Sequence, residues 1–142
     1  MDGKRLLTGA VVGGIAMFAL GWLVFELAFG SFYDAGSNLP AGVARDTRIL
    51  WAWAGGSVAL AVLVTFAVTW AQAASFGSGF KVGAIVGFLV WLGVDLLRYS
   101  GIDHQTLTVT LVDPVLEIVR TGLVGAILAV TLNRGSKGGE GT

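Results

Sequence analysis

Four long apolar runs make up most of this chain, and the last of them is interrupted by Asp113, Glu117 and Arg120 at spacing i, i+4, i+7. In a helix that spacing puts all three on one face. A charge turned toward lipid costs about 2.5 to 3.5 kcal/mol on insertion scales. These groups must therefore face protein, water or one another, and they mark a site inside a helical bundle without naming a ligand.

Of 142 residues, 55% are hydrophobic and 13% charged, against roughly 25% charged in an average soluble domain. The lipid bilayer is the surrounding such a composition fits. Nine basic residues balance nine acidic ones, and no basic, aromatic-studded stretch offers a nucleic-acid surface. The chain has no cysteine, which excludes disulfides, thiolate catalysis and Cys-ligated zinc or iron–sulfur clusters. There is no nucleophile elbow, HExxH pair, phosphate loop or histidine pair, so no metal, cofactor or enzymatic activity is indicated. Asp113 with Glu117 has the adjacency of an acid–base pair, but so does any acidic helix turn.

The pattern predicts an all-α membrane protein, a four-transmembrane-helix bundle in a single domain over residues 1–132, with spans at about 6–29, 49–74, 80–99 and 113–132. Trp51 and Trp53 open the second span and Trp70 lies near its close, as expected for interfacial aromatic anchors. A Gly/Ser-rich turn at 75–79 makes the second and third spans a tight hairpin. Asp113-Pro114 reads as an N-cap followed by proline at the first position of the fourth span. The remaining residues, 133–142, read as a flexible polar tail.

Two connections are longer. Residues 30–48, with Phe32, Tyr33, Leu39 and Pro40 among small polar residues, suit a loop lying on the bundle. Over 105–112, Thr106, Thr108 and Thr110 alternate with Leu107, Val109 and Leu111. That period of two favours an extended segment, and the alternative is a fourth helix that starts near Gln105 and kinks at Pro114. Flanking basic residues place both termini in the cytoplasm, as for a bacterial inner-membrane protein: Lys4, Arg5, Lys81, Arg134 and Lys137 lie inside, Arg45, Arg48 and Arg98 outside. The N-terminal run also resembles a secretory signal with small residues at 28–30, but it is longer than a signal core, and an uncleaved helix fits better.

Gly9-Ala10-Val11-Val12-Gly13 is echoed by Gly83-Ala84-Ile85-Val86-Gly87 near the start of the third span. Both are GxxxG stretches that let helix backbones approach closely, and the echo raises a duplicated helical hairpin. Ala52 and Gly56 are further candidates for close packing in the second span.

With the odd spans running outward, Glu26, Asp95 and Arg98 and the fourth-span residues Asp113, Glu117 and Arg120 converge at one end of the bundle. Arg120, roughly 10 Å along the helix from Asp113, is the deepest, with Glu117 or Asp95 as its expected partner. Four carboxylates face two arginines, so unless Arg45 or Arg48 folds over them, at least one carboxyl must take up a proton or a cation. The plainer reading is that such groups snorkel to the interface or fix helix register. His104, in a loop beside Asp103, reads as solvated, and Thr65, Thr69 and Gln72 as groups hydrogen-bonded within the bundle.

Residues 83–99, GAIVGFLVWLGVDLLRY, and 112–129, VDPVLEIVRTGLVGAILA, resemble small four-span bacterial integral membrane proteins of uncharacterised function. In those proteins a third span ending in polar residues leads through a threonine-rich connection to a fourth span opening on aspartate. Two functions fit the chain. One is a non-catalytic accessory or structural subunit that packs against a membrane-protein partner or a second copy of itself. The other is a small transporter or channel for a cation, proton or small polar solute, with the charge cluster as its vestibule.

Overall fold

The computed structural model describes the backbone of residues 1–137 and the side chains of residues 1–134. The elements are α1 (Gly3–Ala28), a short α2 (Gly30–Ala35), α3 (Leu50–Trp70), α4 (Phe76–Gly101) and α5 (Leu107–Lys137). No strand is present among the described residues, and the only extended pairing is a single bridge between Ser37 and Gln105. The chain is thus all-α, with four helices long and apolar enough to cross a membrane, α1, α3, α4 and α5.

Local chemistry sets the helix starts. Asp2 caps α1 by accepting the Arg5 N–H at 2.8 Å, and Ser75 and Ser78 form a reciprocal capping box that opens α4. α1 widens into π-helical turns at Gly9–Gly13 and Trp22–Ala28.

The fourth span begins earlier than Asp113. Thr106 acts as its cap, its hydroxyl oxygen facing the Val109 N–H at 3.4 Å, and Pro114 is inside the helix. The alternation of Thr and apolar residues is resolved by helical geometry: Val109 and Thr110 turn inward, while Leu107, Thr108 and Leu111 are exposed. Thr110 returns its hydroxyl to the Thr106 carbonyl at 3.0 Å, so a threonine-rich start is satisfied without a strand. At its other end α5 does not stop at Asn133 and Gly135 but runs through Lys137. Of the tail expected at 133–142, residues 133–137 are therefore helical, and 138–142 lie outside the described residues.

α5 is the central helix. Of its most apolar stretch 56% is buried, against 17% to 28% for the other three. Met17, Val64, Val68, Val124, Leu128, Ala129 and Leu132 form the apolar core around it. Trp51, Trp70 and Leu97, each more than three-quarters exposed, point away from the bundle, as lipid-facing side chains do.

Close approach made possible by glycine fixes two of the helix pairs, backbone against backbone between α4 and α5 and backbone against side chain between α1 and α3. A Cβ on Gly79 would come within 2.5 Å of the Ala129 Cβ, one on Gly83 within 2.2 Å of the Thr121 carbonyl oxygen, and one on Gly87 within 2.6 Å of the Thr121 side chain. Gly125 is equally closed, against the Gly79 carbonyl oxygen at 2.3 Å. On the other side of the bundle Gly9 abuts Thr65, and Gly13 abuts Ala61 and Leu128. The two GxxxG stretches therefore face different partners: the first faces α3 and α5, the second α5. Gly56 has open space around it and Ala52 is exposed, so neither packs a helix as the sequence suggested. A GxxxG-like pair does not tell which face of an apolar helix looks at lipid.

These contacts predict opposite effects for the same substitution at two positions in α4. Gly83→Ala forces a methyl into the α5 backbone and should lower stability in detergent by about 1 to 3 kcal/mol. Gly93→Ala, with nothing within 4 Å, should be neutral or stabilising by up to about 1 kcal/mol through helix propensity. Thermal denaturation of the two variants beside the parent checks both signs.

Candidate functional site

Arg120, Glu117 and Thr121 are brought together by helical spacing alone. The Arg120 Nη1 donates to Glu117 Oε1 at 2.6 Å and the Thr121 hydroxyl donates to Glu117 Oε2 at 2.7 Å, all three side chains being buried. Both carboxylate oxygens are thus engaged from one face of α5. The guanidinium lies over the Phe25 ring, 5.3 Å from its centroid. It is admitted by Gly21, where a Cβ would sit 3.3 Å from Arg120 Cζ. Of the two acids expected as partner for Arg120, Glu117 holds that place. Arg120 Nε is left without a hydrogen-bond partner.

Asp95, on α4, is buried, and its carboxyl comes within hydrogen-bonding reach of Asp113 on α5. Its Oδ2 has no partner. Asp113 accepts a hydrogen bond from the Tyr33 hydroxyl. Tyr33 belongs to α2, and its ring packs edge-on against Phe25 at 5.6 Å and Phe32 at 5.7 Å. Burial, followed by the Asp113 carboxylate, holds the Tyr33 hydroxyl well above the ordinary tyrosine pKa.

The segment after α2 is tied to the start of α5. Asn38 N–H donates to the His104 carbonyl at 3.0 Å, Thr106 N–H to the Gly36 carbonyl at 2.9 Å, and the Asn38 side chain to Asp103 at 2.6 Å. Gly36 lies so close to Val109 that a Cβ would sit 2.2 Å from its Cγ2. Residues 30–38 therefore form a strap across the cluster.

The six charged residues singled out in the sequence do not form one nest. Asp95, Asp113, Glu117 and Arg120 converge between α4 and α5. Glu26 pairs instead with Arg48, whose guanidinium lies 4.6 Å from the Trp53 ring centroid. This pair borders a cleft of about 290 Å³ lined also by Phe18, Trp22 and Leu50. Arg98 is exposed on α4, one turn beyond Asp95, and Arg45 is exposed in the loop, and neither forms an ion pair with the carboxyls. His104 is buried rather than solvated, its Nδ1 3.0 Å from the Ile102 carbonyl oxygen. Among the described residues no group of three His, Cys, Asp or Glu side chains is placed to hold a metal ion.

Sequence reasoning missed Tyr33, Gly21 and the small-residue stripe on α5. Tyr33 read as an interfacial aromatic, because nothing local announces a partner 80 residues away. Gly21 was discoverable, since it continues the i, i+4 series of Gly9, Gly13 and Met17. Thr121, Gly125 and Ala129 form a small-xxx-small series of their own. Comparison with protein-family models, curated proteins and solved structures finds no match, so the functional reading rests on this geometry.

Arg120→Leu should be strongly destabilising, by about 3 to 5 kcal/mol, because it leaves Glu117 buried without its cation. Adding Glu117→Gln should recover part of that loss, whereas a cycle with Asp95→Asn should be closer to additive. Equal coupling in both cycles would contradict the pairing described. Tyr33 supplies a pH signature. Its folded-state proton is held more tightly than in the unfolded chain, so its contribution is complete below about pH 10 and is lost as pH rises beyond it. Tyr33→Phe should lower stability at neutral pH and flatten the alkaline decline, as read from denaturation midpoints.

Proposed function

We propose that this protein is a non-catalytic accessory or structural subunit of a multi-pass membrane assembly. The observation that carries the reading is the self-contained Glu117–Arg120–Thr121 unit, whose charge is satisfied from one helix face and walled by Gly21 and Phe25. A buried unit of this kind fixes helix register. Around Gly9, Gly13, Gly79 and Gly83 the helices meet too closely to leave a polar path. The apolar outer faces of α3 and α4 are then the surfaces offered to lipid, to a partner helix or to a second copy.

A second reading, a small transporter or channel for a cation, proton or small polar solute, draws support from the unpartnered, buried Asp95 oxygen. In either case we place both termini in the cytoplasm and the 30–48 connection outside, on the basic residues flanking the spans. The pairing of α1 with α3 and of α4 with α5 is compatible with a duplicated hairpin, which the GxxxG echo first suggested.

Copurification from the native membrane tests the function. A stoichiometric complex with a larger membrane protein is the expected result, and a lone homo-oligomer would favour transport. Topology is tested separately in intact cells with an impermeant thiol reagent, since the chain has no cysteine of its own. Ala44→Cys should label and Gly77→Cys should not, and the reverse result would invert the orientation.

A further inference from the structure

Carboxylates accept hydrogen bonds and donate none, so two carboxyl groups within hydrogen-bonding reach of each other need a proton on one of them. The register in which Gly79 meets Ala129, Gly83 meets Gly125 and Gly87 meets Thr121 sets Asp95 opposite Asp113 eight residues further along, with the two carboxyls within that reach. Asp95 is only 3% exposed, and its Oδ2 has no other partner. Neither aspartate forms an ion pair that would replace the proton: among the described residues the ion pairs are Arg48 with Glu26 and Arg120 with Glu117, and Arg98 reaches Asp95 only as a nearby charge. On α5 the buried Arg120 is engaged by Glu117, and on α4 itself Arg98 is exposed. α1 brings Glu26, already paired with Arg48, and α3 carries no titratable residue. The 102–106 connection contributes Asp103, held by Asn38, and His104, held to the Ile102 carbonyl. From α2 comes Tyr33, which donates to Asp113. Three carboxyls, Asp95, Asp113 and Glu117, thus share one buried guanidinium. Facing carboxylates removed from water cannot both stay ionised at little cost. No metal-holding set of three such side chains exists among the described residues, which leaves a proton as the neutraliser this geometry fits.

We propose that Asp95 and Asp113 form a proton-binding site, in which one proton bridges the two carboxyls and its departure frees the α2 strap that Tyr33 ties to Asp113. The step is a simple dissociation: the proton leaves to water, two facing carboxylates remain, and no bond to carbon changes. Their repulsion parts α4 from α5 at this end and moves Asp113 away from the Tyr33 hydroxyl. The strap, which keeps its Gly36 and Asn38 hydrogen bonds and the packing of the Tyr33 ring on Phe25, then loosens. The site is compatible with either an accessory or a transport role and depends on neither.

The test uses the full chain in lipid vesicles. Infrared spectroscopy should show the carbonyl stretch of a protonated carboxyl that titrates away as pH rises and is absent from Asp95→Asn. A nitroxide on Ser31→Cys, the sole cysteine in the chain, should gain mobility over the same pH interval in the parent. In Asp95→Asn, whose amide donates to Asp113 without a titrating proton, the label should stay immobile throughout. A parent lacking that carbonyl band from mildly acidic to mildly alkaline pH would overturn the proposal. So would a band retained in both Asp95→Asn and Asp113→Asn, which belongs to another carboxyl, or one removed by sodium at constant pH, which marks a cation site. Should the variants fail to fold, the parent still decides: the band and the label must change together with pH, and separate transitions refute the coupling.

Discussion

The backbone contact between α4 and α5 is the constraint on which the rest of the polar architecture depends. Gly79, Gly83 and Gly87 step along α4 four residues at a time while Ala129, Thr121 and the intervening Gly125 step back along α5. At the distances involved a single methyl has no room, so the two helices cannot slide or rotate past one another without separating. Continued by two more steps of four, the same antiparallel register brings Asp95 opposite Asp113. The glycines at one end of the helix pair thus determine which charges meet at the other, some 12 Å beyond Gly87 at 1.5 Å per residue.

Low dielectric then decides how those charges are divided. A guanidinium and a carboxylate one turn apart on the same helix need no tertiary adjustment to meet, so Glu117 captures Arg120 and leaves the aspartates to each other. Gly21 completes this arrangement from α1: a Cβ there would press on the guanidinium, which would have to give by a few tenths of an ångström. The cost of burying such a pair is rarely recovered as net stability. Its value lies in excluding other registers, since any rotation of α5 that exposes the pair to lipid is penalised far more heavily than the native arrangement.

Much of this was legible in the sequence where a periodicity or a composition carried it. The four apolar runs, the shared end of Asp95, Asp113, Glu117 and Arg120, and the close approach at Gly13, Gly83 and Gly87 follow from spacing and hydropathy. What escaped depended on contacts between distant segments or on competition between local signals. Thr106 to Leu111 reads as a strand until one asks where the threonine hydroxyls go. In this chain Thr106 caps the helix and Thr110 bonds back to it, and Pro114 is accommodated seven positions after the first helical residue. Glu26 read as part of the cluster because depth along a helix is visible in sequence while direction around it is not, and the Arg48 side chain draws it to another face.

The strap supplies what four packed helices cannot. At the end of the bundle where α1 finishes and α5 begins, Asp113 retains acceptor capacity that no spanning helix satisfies. In an apolar solvent such a group must find a donor within the chain or remain near water. Tyr33 meets that need while keeping its apolar ring against Phe25 and Phe32. The same 30–38 segment places Gly36 and Asn38 on the first turn of α5 and its preceding connection. Anchoring a loop through one phenol to a carboxyl, and through backbone bonds elsewhere, makes its seating depend on the charge of that carboxyl. A loop held only by apolar contacts would lack such a dependence, and for that reason the polar end of this bundle, rather than its glycine-packed end, is where its conformation can respond to the medium.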